Sequence, residues 1–427
     1  MLSHSRRPSA YAVYLTLECA VSLFIGIAGA VNLVYQVQVA HLNAIQLVLV
    51  GTALEGSTLL LQTPTGLFAD LYSRRRSILL GVTFLGLGCI LRGALPLFWL
   101  IMLASVVSAF GYCFLDGATE AWIAGELGDA RVGRAYLRGA QMGQIGALVG
   151  VLIGTGLGLL RLNLPIVTGG ALLLLLAGLL TFALREHHFT PASPADLPSW
   201  RASGRALRRS VSFARRSPIL LMLLAVAAIE GMSSEGFDRL NVAHFLHDYT
   251  VPMLGPLKPV AWFGLMSAVG SLLSLAAVEL VRRRMNTERA TTLARGLFAL
   301  TALWGVSVIA FGLAGSFAVA LAMFWLVGVA RTTMGPLERT WITQNTAPEL
   351  RATLISMSGQ MDAIGQVAGG PVVGAIGTLR SLRAALVTTG VFLFPAALLY
   401  TRALRTGAIG VPVAALAEEA VAPVDGG

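Results

Sequence analysis

Carboxylates and arginines stand where a chain this apolar can least accommodate them. Of 427 residues, 12% are charged and 56% hydrophobic, yet several charges fall inside long apolar runs. Glu55 lies near the middle of one run. Asp116 and Glu120, one helical turn apart, lie in another. The stretch IEGMSSEGFDRLNVAHF places Glu230, Glu235, Asp238 and Arg239 in a third, and Arg331, Glu338 and Arg339 share a fourth. An ionised group costs about 2.5–3.5 kcal/mol at the centre of a membrane helix, so it must pair, face water or be neutralised by a proton. Carboxyls so placed suit reversible protonation and the recognition of a polar or charged small molecule.

Helical spacing sorts these groups. At about 100° per residue, Glu230, Ser234, Asp238, Asn241 and His244 fall within about 120° of one face. Glu235 and Arg239 form an i,i+4 pair on an adjoining edge, in the favourable acid-first order. A polar stripe on an apolar helix is expected to line or gate a wet path through Glu230, Glu235, Asp238 and Arg239. The competing reading is an ion-pair network that pins this helix to a neighbour. Asp116 and Arg331 are expected deep, at a substrate or proton site with Glu55, while Glu120, Glu338 and Arg339 approach one end. Tyr14, Glu18, Asn32 and Gln36 share a stripe nearer the N-terminus, where Glu18 fits a gate and a bland surface equally well.

Other chemistries lack their residues. A phosphate-binding GxxxxGK[ST] loop needs a lysine, and the only lysine, Lys258, stands before Pro259 in LGPLKPV. No HExxH, CxxC or metal-ligand spacing occurs, so no metal and no cofactor is expected. Cys19, Cys89 and Cys113 all fall within apolar runs, and no disulfide framework is expected.

The elements that must carry these side chains are membrane helices. Mean hydropathy is +0.76, and apolar runs of roughly 20 residues, enough to cross about 30 Å of hydrocarbon as helix, recur along the chain. Twelve spans are expected, near 11–36, 43–65, 77–95, 97–124, 134–160, 164–184, 218–246, 259–281, 291–313, 316–345, 353–378 and 382–402. Barrel strands would be shorter and would alternate in polarity. The N-terminus imitates a leader, with Arg6 and Arg7, an apolar run and Ala28-Gly29-Ala30. The run is too long and Glu18 interrupts it, so an uncleaved first span is expected.

A net charge of +10 does not imply a nucleic-acid partner, because the basic residues are sorted by side. With the N-terminus in the cytoplasm, Arg92, Arg161, Lys258, Arg380 and Arg383 alone lie opposite, and Arg239, Arg331 and Arg339 lie within spans. The remaining arginines mark cytoplasmic tails and loops, which puts both termini in the cytoplasm of a plasma-membrane protein. The one long polar interruption, 185–217, carries Pro191, Pro194, Pro198 and a cluster of arginines. It divides a bundle of six spans (1–184) from a second (218–404) and is expected to be a cytoplasmic basic linker. Residues 405–427 form a cytoplasmic tail.

The two halves echo each other. ADLYSRR from Ala69 resembles AVELVRRR from Ala277, with Asp70 over Glu279 at an offset of 209. Trp122-Ile123 matches Trp341-Ile342 at 219, RAYL from Arg134 matches RATL from Arg351 at 217, and QMGQIG from Gln141 matches QMDAIG from Gln360 at 219. By the 219 offset Glu120 corresponds to Arg339. Four matches in order indicate duplication, a design of transporters whose substrate path runs between repeats. The glycines of span 5, at 139, 143, 146, 150, 154 and 158, recur every three or four residues and mark a close-packed face.

Gly66-Leu67-Phe68-Ala69-Asp70, followed by Ser73-Arg74-Arg75-Arg76, resembles the GxxxD-xx-[G/S]RR signature of the major facilitator superfamily, which lies in the turn between helices 2 and 3. QTPTGLFADLYSRRRSILLG and SSEGFDRLNVAHF are similar to segments of twelve-helix macrolide- or tetracycline-resistance-like efflux proteins. Two marks of drug:proton antiporters are absent, since Val107 stands where helix 4 would carry an arginine and span 5 has no Gly-Pro pair. The resemblance implies an all-α membrane protein with twelve helices in two pseudo-symmetric six-helix bundles. It implies a cytoplasmic gate built from Gly66, Asp70, Arg74, Arg75, Glu120, Glu279, Glu338 and Arg339. In that reading Gly66 allows close helix approach, Asp70 meets a helix N-terminus from the other half, and the arginines pair with carboxylates such as Glu120. The competing readings are topogenic arginines after a helix and structural pairing of Glu120, Glu338 and Arg339.

These features converge on an alternating-access secondary transporter, expected to be a monomer exporting small organic or drug-like compounds with protons as the coupling ion. Uptake by proton symport is the alternative within the class. An intramembrane enzyme using Asp116 and Glu120 or the span 7 carboxylates as acid/base pairs, or a sensor that does not transport, are alternatives outside it.

Overall fold

The computed structural model describes residues 9–187, 189, 218–250, 260–285, 289–344 and 348–405. Every regular element among them is a helix: α1 (Ala10–Gly29), α2 (Asn32–Gln38), α3 (Ala44–Leu71), α4 (Arg74–Ala94), α5 (Phe98–Leu115), α6 (Ala118–Leu127), α7 (Asp129–Leu160), α8 (Leu164–Ala183), α9 (Pro218–Asp248), α10 (Val260–Arg284), α11 (Ala290–Leu313), α12 (Phe317–Gln344), α13 (Pro348–Leu379), α14 (Leu382–Val391) and α15 (Leu393–Arg405). They make the twelve expected spans, with spans 1, 4 and 12 each interrupted once. Ten spans among the described residues are long and apolar enough to cross a bilayer on composition alone. The other two, α9 and α13, are 31 and 32 residues long but carry the polar residues described below. Hydrocarbon forces this all-helical solution, because each backbone N–H and C=O must find its partner within the segment.

Local sequence sets several helix ends. Asn43 and Gln46 cap α3 reciprocally, the Asn43 side chain accepting from the Gln46 amide at 3.0 Å while the Gln46 side chain accepts from the Asn43 amide at 3.1 Å. Ser73 opens α4 by accepting from the Arg76 amide at 3.1 Å. Span 4, expected to be continuous, breaks at Asp116-Gly117, where Gly117 takes φ +72°. A side chain is disfavoured at that angle, so glycine marks the break.

The described helices fall into two compact units. The first holds α1–α8 together with α10 up to Leu265, and the second holds α9, the remainder of α10 and α11–α15. Residues 185–187 and 189, expected to begin a linker, belong to the first unit. Most of the expected linker lies outside the described residues, as does the tail beyond Arg405.

The two units share four pairings, and the first also packs α3 on α5, a pairing without a comparable counterpart between α10 and α12 among the described residues. In the first, α1 packs on α7 and α8, and α4 packs on α5 and α8; in the second, α9 packs on α13, α14 and α15, and α11 packs on α12, α14 and α15. By span these are 1·5, 1·6, 3·4 and 3·6, then 7·11, 7·12, 9·10 and 9·12. The α1·α7 seam is glycine-lined, as expected. Gly146, Gly150 and Gly154 lie directly against the backbone carbonyls of Cys19, Leu23 and Ile27, one contact per helical turn. In the second unit Gly365 lies against the Ala228 carbonyl and Gly369 against Met232. Adding the sequence offsets of 219 and 209 to Gly146·Cys19 and Gly150·Leu23 gives these same two pairs. Such seams hold membrane helices by backbone proximity, where hydrophobic burial provides little drive.

Candidate functional site: carboxylates within each unit

In the first unit a cavity of about 330 Å³ opens between α1, α3 and the broken span α5–α6. Leu17, Val21, Thr58, Tyr112, Cys113 and Leu115 give it an apolar wall, and Glu18, Asp116 and Glu120 are its charged lining residues. The break at Gly117 delivers Asp116 and Glu120 to the same cavity from two short helices. Asp116 accepts from Gln62 Nε2 at 3.2 Å. The Glu18 and Glu120 carboxylates make no hydrogen bond or ion pair among the described residues, and no basic side chain lines the cavity. Such a chamber favours cationic or neutral guests and repels anions. Glu120 was expected at a gate and Asp116 in the path, whereas here they line one chamber with Glu18. Glu55 stands on α3 one turn from Thr58 and is not among the lining residues.

At the α3–α4 turn the arginines find partners other than those expected. Arg74 Nη1 donates to the Ala121 carbonyl at 2.8 Å, not to the Glu120 carboxylate, and its guanidinium lies 5.8 Å from the Phe189 ring centroid. Arg75 reaches the end of α8, with Nε donating to the Leu184 carbonyl at 2.8 Å and Nη2 to the Thr181 carbonyl at 2.6 Å. These are the carbonyls that a helix C-terminus leaves unmatched. The anion at this end is Glu186, which accepts from Ser73 Oγ at 2.6 Å and from the Arg74 and Arg75 amides at 2.9 and 3.4 Å. A carboxylate on the N-terminus of α4 is favoured by the helix dipole. Trp122 Nε1 donates to the Arg185 carbonyl at 2.7 Å and the His187 amide to Glu126 at 2.6 Å, completing a strap after α8. Asp70 is exposed and makes no ion pair with these arginines. Gly66 does not provide close packing, because a Cβ built there meets no atom within 4 Å.

The second unit gathers three carboxylates around one arginine. Arg331 on α12 grips Asp238 on α9 through both pairs of atoms, Nη1–Oδ1 at 2.5 Å and Nη2–Oδ2 at 3.0 Å. Its guanidinium also lies 5.2 Å from the Trp304 ring centroid. This fork geometry and ring contact are specific to arginine. On the same side Glu230 of α9 faces Glu338 of α12, with Tyr400 of α15 beside them. Glu230 is only 9% exposed, and one oxygen of each glutamate is buried without a hydrogen-bond partner. Asp362 of α13 joins the group and accepts from Gln366 Nε2 at 2.7 Å. Three carboxylates, Glu230, Asp238 and Asp362, thus gather around the Arg331 guanidinium, and Glu338 joins them through Glu230 and Asp362 with Arg339 as its nearby cation.

The rest of the α9 stripe is used differently. Glu235 is 2% exposed and pairs with Arg239 at 3.0 Å, the predicted i,i+4 contact. Asn241 donates to the Phe237 and Asp238 carbonyls of its own helix. His244, fully buried, contacts the Phe311 carbonyl, Asp248 and Tyr249 near the end of α9. Of the expected wet stripe, Asp238 is the acidic residue whose side chain stays substantially accessible, while Glu230 is buried. Glu279 binds Arg282 and Arg283 of its own helix at 2.6–2.7 Å. Arg339 is exposed.

Two functional candidates escaped the sequence reading. Asp362 is the D of QMDAIG, at the place where the first repeat has Gly143, so the signal lay in the repeat itself. Glu186 follows α8 in LREHHF, within the segment expected to be linker.

With fold and sites in place, comparison with known proteins defines the class. The chain belongs to the Major Facilitator Superfamily, whose family model matches residues 11–305. It is 22% identical over 401 residues to the uncharacterised MFS-type transporter YxaM of Bacillus subtilis (strain 168), covering 91% of this chain and 95% of that one. Its fold is similar to that of a point mutant of the nucleoside transporter NupG, with a TM-score of 0.72 and 14% identity, covering 92% of this chain and 99% of that chain. It is equally similar to an inward-facing bacterial homologue of the human lysosomal transporter Spinster, with a TM-score of 0.72 and 18% identity, covering 93% and 98%. The protein is a multi-pass membrane transporter of small molecules, and the likeness to the solved structures concerns the fold alone.

Proposed function

We propose that the protein is an alternating-access secondary transporter that exports small organic compounds, cationic or neutral and amphipathic, in exchange for protons. It acts as a monomer in the plasma membrane with both termini in the cytoplasm, as the sorting of its arginines supports. The observation that carries proton exchange is the facing pair Glu230–Glu338, buried beside Asp362. Arg331 near Glu230 is already committed to Asp238, and Arg339 lies near Glu338. Two carboxyls facing each other from neighbouring helices form a coupled pair between which a proton can be shared and exchanged. Release of that proton changes the charge around Arg331 and so the preference between states. The acidic chamber of the first unit supports the choice of substrate charge. The α3–α4 end, with Gly66, Asp70, Arg74 and Arg75, serves as the cytoplasmic gate.

Inverted vesicles test this reading. An acid interior is expected to drive accumulation of a lipophilic cation, with Glu230→Gln and Glu338→Gln each lowering pH-linked flux at least about tenfold while insertion is retained. Glu55→Gln is expected to spare flux more than either. Full flux in both variants removes the proton from this pair, and accumulation under the reverse gradient establishes symport instead.

A further inference from the structure

The outer face of the first unit carries a second, differently built cavity. A groove of about 710 Å³ lies between the start of α4 and the end of α8, lined by Tyr72, Arg75, Arg76, Phe182, Arg185 and Glu186 among others. Its charge balance is positive. Glu186 and Arg75 are both held by neutral groups that leave their charges intact, so three arginines stand against one carboxylate. Arg76 and Arg185 are exposed, and their guanidinium groups have no partner among the described residues. Below the groove, Phe182, Leu179 and Leu175 run down one face of α8, 85%, 58% and 59% exposed. Tyr72, 62% exposed, stands at the rim where aromatic residues mark the edge of a bilayer.

We propose that this groove binds an anionic phospholipid of the phosphatidylglycerol or cardiolipin class. The phosphate sits between Arg76 and Arg185, whose planar forks match its oxygens, and an acyl chain follows the Leu175–Leu179–Phe182 face. Basic pockets between membrane helices at the headgroup level recognise such lipids. The charge explains selectivity over a zwitterionic lipid, and the contiguous apolar face explains why the ligand is a lipid and not a free phosphate. This proposal is independent of the transported substrate.

The test is native mass spectrometry of the purified full chain titrated with phosphatidylglycerol or phosphatidylcholine, with thermal melting in parallel. One phosphatidylglycerol is expected to bind roughly tenfold more tightly than phosphatidylcholine and to raise the melting temperature. Arg76→Gln/Arg185→Gln is expected to bring the preference below about twofold, whereas the charge-matched control Arg284→Gln/Arg289→Gln keeps it. Should the double variant fail to fold, Arg76→Gln and Arg185→Gln alone are each expected to lower the preference about threefold. The proposal is overturned by equal binding of the two lipids, by a preference that survives the substitutions, or by equal loss in the control. It is also overturned if glycerol phosphate alone stabilises the protein as much as the lipid does.

Discussion

The α1·α7 and α9·α13 seams are one design used twice, and they differ at one informative pair. In the first unit Gly143 of α7 faces Ser22 of α1, with a built Cβ 3.1 Å from the serine oxygen. In the second unit the corresponding residues are Asp362 and Gly231, and Gly231 lies directly against the Asp362 carbonyl. The glycine has changed helices. That exchange keeps the backbones close while freeing the α13 position for a carboxylate, which enters the cluster around Arg331. Packing was conserved between the repeats and chemistry was not. The first unit keeps its carboxylates in an open chamber without arginine. The second holds them in a crowded group with Arg331 and, beside Glu338, Arg339.

The largest expected effect attacks what the seams share. Gly365→Leu would drive a side chain into the Ala228 carbonyl, and Gly150→Leu into that of Leu23. Neither backbone can retreat without opening the whole seam. Each is expected to cost about 3 kcal/mol or more and to remove most of the monodisperse protein seen by size-exclusion chromatography. A folded, active Gly365→Leu protein would mean that the second seam is not packed like the first.

A smaller effect is expected from what the seams do not share. Arg331→Gln leaves Asp238 without its cation beside Glu230 and Asp362. Both partners remain partly accessible, with side chains 32% and 44% exposed. The loss is therefore expected at about 1–3 kcal/mol, below that of a fully buried pair, and is measurable as a fall in melting temperature. In the first unit Glu120→Gln removes no ion pair and is expected to stay within about 0.5 kcal/mol of the parent. Equal losses would erase the distinction between the two acidic groups.

Much of this was legible in the sequence because hydrocarbon leaves so few options. Span positions follow from apolar length. The glycine repeat of span 5 marked a close-packed face, although its carbonyl partners were seen only in the structure. The break in span 4 was missed because its flanks are as apolar as an intact helix, although Asp116-Gly117 is itself a turn dipeptide. Asp362 was hidden because the repeat was read for its matches, whereas the mismatch carried the chemistry. The α9 stripe was overread, since periodicity reports which residues share a face but not what packs against it. His244 found Phe311 and Asn241 found its own backbone. Glu186 could not be assigned its role because capping α4 depends on how α8 returns to it in space.

The smallest expected effect separates packing from gating at Gly66. A Cβ there meets open space, so Gly66→Ala removes glycine's conformational freedom inside α3 without a clash. It is expected to stabilise the protein by about 0.5–1 kcal/mol, seen as a small rise in melting temperature. The proposed gate adds a second requirement, because a gate at this end of α3 needs a close approach to a neighbour at some point in the transport cycle. A methyl group would obstruct that approach, so flux is expected to fall severalfold while stability rises. A rise in stability with flux unchanged would remove Gly66 from the gate and leave its function to Asp70 and the arginines. A loss of stability would instead show that α3 is already packed there, contrary to the open space around it.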